Sequence, residues 1–130
     1  MTAYLVPPEH IAEVWGECAP WIAAAIARNQ GDEGLTDVLV ALARGAYLLW
    51  YSPGKYATVA QIQRFPKQTV GMVLYCGGHD LEDMKGAFDD AKAWCRANGI
   101  KVMRIWGRPG WARVLDMKPV GVILQCEVDP

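Results

Sequence analysis

Two groups of residues in this 130-residue chain have types and spacings that can do chemistry. The first is Cys76-Gly77-Gly78-His79, which sets a thiol and an imidazole at a metal-like spacing. A structural zinc needs four ligands, and no second Cys/His pair stands elsewhere to complete the set. The run therefore reads more economically as a core cysteine followed by a turn, and no metal is expected. The second group lies in residues 91–118, where Lys92, Arg96, Lys101, Arg104, Arg108, Arg113 and Lys118 face only Asp116 in opposite charge. Trp94, Trp106 and Trp111 are interleaved among them, a composition that suits phosphate contact combined with base stacking. The same tryptophans serve as core and groove walls, and bases on alternate strand positions as a solvated face. Arg104, Arg108, Trp111 and Arg113 are thus a candidate interaction surface, with protein the favoured partner and nucleic acid the alternative.

Charge is segregated along the rest of the chain as well. Residues 1–37 carry six acids and one base, and residues 38–79 carry four bases and no acid, although the formal net charge is only −1. Near-neutrality removes the case for a polyanion binder built on global charge. Complementary acidic and basic faces on one molecule suit contacts with a protein partner or with a second copy, a use that needs no active site.

The elements that position these groups follow from period and punctuation. Pro8 suits a first helical turn, and Ile11, Val14, Trp15 and Cys18 follow at helical spacing to about Glu17. Pro20 can open a second helix with Trp21, Ile22, Ala25 and Ile26 on one side, so the spacing predicts an elbow between the two. Thr36 is a plausible cap for a third helix, with Val38, Leu39 and Leu42 inward and Gly45 closing it. The period then becomes strand-like. Residues 46–51, 56–65 and 69–76 read as three antiparallel strands joined by the Ser52-Pro53-Gly54-Lys55 and Pro66-Lys67-Gln68 turns.

Gly77 and Gly78 release the chain into its strongest helix, where Leu81, Met84, Phe88, Ala91 and Cys95 share a face and Asn98-Gly99 is the stop. A strand over residues 100–106 after so long a helix predicts a crossover to a parallel neighbour. A short helix over residues 111–115 and a last strand over residues 120–128 complete an expected order of αααβββαβαβ.

Composition sets the frame for these elements. With 52% hydrophobic and 21% charged residues, the chain is too apolar to stay disordered, and one domain over residues 1–130 is expected. Residues 1–8 lack the basic start and apolar core of a secretory signal, and no apolar run approaches the roughly 20 residues that cross a bilayer. A cytoplasmic or virion-associated protein without membrane contact is expected. Cys18, Cys76, Cys95 and Cys126 lie in apolar segments without close pairing, as free thiols do.

The element order resembles the GCN5-related N-acetyltransferase (GNAT) family over most of the chain. The resemblance implies an α/β fold with a mixed, mostly antiparallel sheet of about six strands and helices on both faces. The run Gly107-Arg108-Pro109-Gly110-Trp111-Ala112-Arg113-Val114-Leu115 is similar to the strand-to-helix segment of small GNAT-like proteins, many encoded by phages or prophages. The opening Leu5-Val6-Pro7-Pro8-Glu9-His10 through Trp15 resembles these chains too.

In that family a loop of pattern Gln/Arg-x-x-Gly-x-Gly/Ala after the fourth strand holds the pyrophosphate of acetyl-CoA. The corresponding place here makes Gly77 and Gly78 the candidate cofactor-binding residues. Asp80, Glu82 and Asp83 bring negative charge to the same spot, so loss of acetyl-CoA binding is expected, with their own capping of the helix as the carboxylates' role. The family's base is commonly a Glu reached from the central strands, and residues 38–79 contain no acid, which leaves His79. Its acid is often a Tyr on the short late helix. None stands in residues 108–118, which leaves Tyr75 by position. In the family's fold the Arg108–Trp111 turn either walls the cleft between the fourth and fifth strands or plugs the end of the sheet with its tryptophan. The expected role is a virion-associated or accessory protein acting through contacts with phage structural proteins or with itself. The alternatives are an active N-acetyltransferase and a small nucleic-acid binder.

Overall fold

A computed structural model describes residues 3–29, 31–79, 81–107 and 111–128, with Leu81 described by its backbone alone. One five-stranded sheet in the order β1-β2-β3-β4-β5 organises them. Strands β1 (Tyr4–Leu5), β2 (Leu48–Ser52), β3 (Tyr56–Arg64) and β4 (Thr69–Gly78) are antiparallel neighbours, and β5 (Val102–Ile105) runs parallel to β4. Helices α1 (Ile11–Ala27) and α2 (Leu35–Ala43) cover one face, and α3 (Leu81–Ala97) and the single turn α4 (Trp111–Val114) cover the other.

The amino-terminal elbow expected at Pro20 is absent, because α1 passes straight through it. A proline in a helix interior costs about 3 kcal/mol, part of it for the carbonyl four residues back that loses its donor. Here that carbonyl belongs to Gly16, and Gly16 and Pro20 both lie on the exposed side, where water can replace the missing bond. On the opposite side Ile11, Cys18 and Ile22 form a fully buried stripe on the sheet. Burying Ile22 alone returns about 1.5–3 kcal/mol. The stripe spans the proline, so one continuous helix wins over two.

The cap of α2 also differs from expectation. Gly34, not Thr36, is the N-cap, and its backbone N–H donates to the Asp37 carboxylate at 2.8 Å. Strand β1 was hidden in the sequence by its brevity; it adds to β2 in the register Tyr4↔Tyr51 and Leu5↔Trp50, and the Val6 N–H continues the ladder to the Leu49 carbonyl at 2.8 Å.

The turn between β2 and β3 places Gly54 at φ 73°, a conformation that only glycine adopts without strain. Between β3 and β4 the register shifts: Val59 pairs with Tyr75 but Ala60 pairs with Val73, so Leu74 is a bulge residue. The bulge sends Leu74 and Tyr75 to the same face, the one covered by α1 and α2, while Val73 and Cys76 meet α3.

The last expected strand, over residues 120–128, does not form. This stretch is irregular and exposed, and the sheet ends at β5, which accounts for five strands where about six were expected. A β-branched run becomes a strand only against a paired edge, and within this chain it is not paired.

Candidate functional site

The parallel pair β4/β5 is where a ligand crevice is sought in a sheet of this kind. The two strands are paired only from Val70↔Val102 to Val73↔Ile105, whereas β4 runs on to Gly78. Crevices at the carboxyl ends of diverging parallel strands are where open α/β sheets bind ligands. The end of β4 carries four of the residues the sequence singled out, Tyr75, Gly77, Gly78 and His79.

Gly77 and Gly78 are strand residues, paired with Ala57 and Tyr56 of β3. Both have backbone reasons to be glycine. A Cβ on Gly77 would collide with the carbonyl oxygen of Trp21 in α1, and one on Gly78 would collide with the carbonyl oxygen of Lys55. The next residue, His79, donates its backbone N–H to that same Lys55 carbonyl at 3.2 Å, and α3 begins at Leu81. The glycine pair is therefore held inside the sheet, against α1 and the start of β3. A pyrophosphate cradle needs loop N–H groups turned toward the ligand, and here one of them is already engaged.

Glu82 and Asp83 stand in the first turn of α3, the place where an anion would otherwise gain from the helix dipole. Asp80 lies outside the described residues. The carboxylates of Glu82 and Asp83 place negative charge in the turn that a diphosphate would approach.

The two proton-transfer candidates share the α1 side of β4's end but do not act as a pair. The exposed His79 ring packs edge-on against Trp21, with ring centroids 5.6 Å apart. Tyr75 is buried and donates its hydroxyl to the Glu33 carboxylate at 2.7 Å. Tyr47 donates to the same carboxylate at 2.9 Å. Burial first, and then the adjacent Glu33 carboxylate, hold both hydroxyls above the ordinary tyrosine range, with Tyr47 pushed up to about 12. A phenol so placed stays protonated and is already donating, which makes Tyr75 a weak acid for any other acceptor.

Glu33 is the residue that sequence reasoning missed. The central segment, residues 38–79, holds no acid, and Glu33 arrives from the connection between α1 and α2. Its position at the end of an acid-rich third that precedes an acid-free one was the only available signal.

The remaining candidates are dispersed. Cys76 points to the α3 face, with Thr58 Oγ1 at 3.4 Å from its Sγ, while His79 lies on the α1 face. The two therefore do not converge on one metal position, and burial pushes the Cys76 thiol up to about 11. Among the described residues no cluster of three or more metal-ligating side chains is present. Trp111 packs, partly buried, against the hydrophobic cluster beneath α3, tilted against Phe88 at 6.1 Å and close to Gly107. Trp94 is likewise engaged, edge-on to Trp50 at 5.3 Å. Arg104 is half-buried on β5, Arg113 is exposed on α4, and Arg108 lies outside the described residues.

Comparison with solved structures places this architecture. A GCN5-related N-acetyltransferase from Ralstonia eutropha JMP134 superposes with a TM-score of 0.67 at 15% identity, covering 98% of each chain. A ribosomal-protein-alanine N-acetyltransferase from Brucella melitensis biovar Abortus 2308 gives 0.68 at 12% identity, covering 98% of this chain and 99% of that one. A predicted acetyltransferase from Clostridium acetobutylicum, solved with acetyl-CoA, gives 0.68 at 9% identity, covering 97% and 95%. No model of a known protein family and no curated protein matches the sequence. The chain has a GNAT-like fold.

Proposed function

We propose that this protein uses the GNAT-like fold without acetyl-CoA chemistry and works through protein contacts, as a virion-associated or accessory protein of phage type. A fold of this kind hosts unrelated functions, so the reading rests on the site. One observation carries it: the glycine pair at the family's phosphate position is consumed by packing against the backbones of Trp21 and Lys55. The carboxylates of Glu82 and Asp83 in the adjoining helical turn add to this by disfavouring a diphosphate there. Titration calorimetry with acetyl-CoA tests the reading. No heat of binding in the micromolar range is expected, and saturable one-to-one binding that coenzyme A competes away would overturn it.

A second reading, N-acetyl transfer, is favoured by the carboxylate of Glu33 standing beside Tyr75 on the same side of the cleft strand as His79. A carboxylate and an imidazole are the groups that bind and deprotonate amines. Under this reading acetyl-CoA is turned over with an amine acceptor, and Glu33→Gln lowers kcat by about 10²-fold or more, the ordinary size of a general-base contribution. Acetyl-CoA turnover that Glu33→Gln leaves unchanged would defeat it.

A further inference from the structure

Beneath the carboxyl-terminal half of α3 the face of the sheet passes from apolar to polar along the strands. Three cross-strand pairs of β3 and β4 meet the helix in turn, Ala60↔Val73, Ile62↔Gly71 and Arg64↔Thr69. Helix α3 is graded in the same direction, with Ala91 and Cys95 over the inner pairs and Asn98 over the last. Two adjoining hollows lie between helix and sheet. The inner one, walled by Ala60, Gly71, Val73, Ala91 and Cys95 among others, is apolar and holds about 10 Å³, room for one water- or methyl-sized group. The outer one opens to solvent past Arg64, Thr69 and Asn98 and holds about 220 Å³. Ile62 and Trp94 line both, so the hollows form one tapering recess with a polar mouth.

The mouth favours an anion. Arg64 is exposed and has no ion-pair partner among the described residues. No acid stands in residues 38–79, which supply both strands, or in residues 91–115, which supply the last turns of α3 and the neighbouring Lys101. Asp90, one turn back on α3, is bonded to the Tyr56 hydroxyl at the opposite end of β3. The carbonyls that end α3 are engaged as well: Trp94 accepts from the backbone and side-chain amides of Asn98, Arg96 from Gly99, and Cys95 from Ile100. We propose that this recess binds a small monocarboxylate with a slender apolar tail, the carboxylate on Arg64 and Thr69 and the tail along Trp94 toward Gly71. A guanidinium holds a carboxylate by charge-assisted hydrogen bonds, and the apolar inner walls reward burial of the tail but not of a second charge. The hollow is smaller than the roughly 300–1,000 Å³ of drug-sized sites, which limits the ligand to a short chain. Thr69 begins β4 and Gly78 ends it, so the inference is independent of whether acetyl-CoA binds.

Titration of the isotope-labelled full chain with sodium hexanoate, followed by two-dimensional NMR, tests the proposal. Saturable shifts are expected in the Trp94 indole signal, which Trp94→Phe identifies, and in the backbone amides of Thr69, Asn98 and Gly99. Acetate has the head without the tail and should bind more weakly. Hexylamine has the tail without the negative charge and should leave these signals in place. Arg64→Glu reverses the charge of an exposed side chain, so far-UV circular dichroism should be unchanged. The same variant should raise the dissociation constant for hexanoate about tenfold or more, the loss of one hydrogen bond to a charged group. The absence of saturable shifts, shifts confined to other residues, or an equal response to hexylamine overturns the proposal. So does an acetate affinity equal to that of hexanoate, or a hexanoate affinity that Arg64→Glu leaves unchanged.

Discussion

Glu33 joins two parts of the chain that its charge pattern keeps apart, the acidic first third and the acid-free segment that follows. Its carboxylate accepts from Tyr47 and from Tyr75, and on the same face of the sheet Glu17 accepts from Tyr51 and from the Gly54 N–H at 2.6 Å. Three tyrosine hydroxyls are thus spent on two carboxylates. Ionising any of them places a phenolate against a carboxylate. Tyr51, whose hydrogen bond to Glu17 is the chief cause, and Tyr47, where burial is, are both raised to about 12.

The sign of the linkage follows from those raised values. The unfolded chain loses tyrosine protons near pH 10 while the folded chain keeps them, so the stabilisation is complete below pH 10 and is lost between pH 10 and about 12. Urea midpoints measured from pH 8 upward should fall beyond pH 10. The double substitution Tyr47→Phe with Tyr75→Phe should lower the unfolding free energy at pH 8, by about 1.5–3 kcal/mol for each hydrogen bond to a charged group, and flatten the alkaline fall. An alkaline slope as steep as that of the wild type would show that these hydroxyls do not carry the effect.

Strand β4 is the element on which everything near the cleft depends. Its bulge at Leu74 turns Tyr75 toward Glu33, its glycines let α1 and β3 approach, and its final residues outrun β5. Because the atoms facing Gly77 are backbone, a methyl group there forces α1 away from the sheet. Gly77→Ala should therefore destabilise by about 1–3 kcal/mol in urea unfolding, in the range of overpacked cores. Wild-type stability in that variant would mean that α1 lies farther from β4 than described.

Helix α1 offers the opposite case. Gly16 has open space where a Cβ would go, so Gly16→Ala should stabilise by about 0.5–1 kcal/mol through helix propensity alone. Destabilisation by the same substitution would place Gly16 against something after all.

At the scale of the whole molecule, the basic carboxyl-terminal stretch offers a nucleic acid few exposed rings. Trp94 and Trp111 are turned into the core, and among the three interleaved tryptophans only Trp106 reaches 43% exposure. Stacking platforms must present a ring face to the base. Electrophoresis with single-stranded DNA at low salt should show no shifted band. A shift that weakens on replacing Arg104 and Arg113 with Ala would restore the nucleic-acid reading. No helix among the described residues is long and apolar enough to cross a membrane.

The sequence by itself determined which segments are helices and strands through the middle of the chain, and that β4, α3 and β5 form a parallel crossover. Period, turn residues and helix stops are local properties, readable within a dozen residues. The family-like order followed from them. Tertiary structure decided the rest. Pro20 remains inside one helix because a buried stripe spans it, and Gly77 is glycine because Trp21 sits above it. Glu33 meets the end of β4 only because a bulge in that strand turns Tyr75 toward a residue 42 positions earlier. Whether the Val120–Val128 run becomes a strand depends on which edge it meets. Each of these outcomes is fixed by contacts between segments far apart in the chain, and no local pattern encodes a register or a partner.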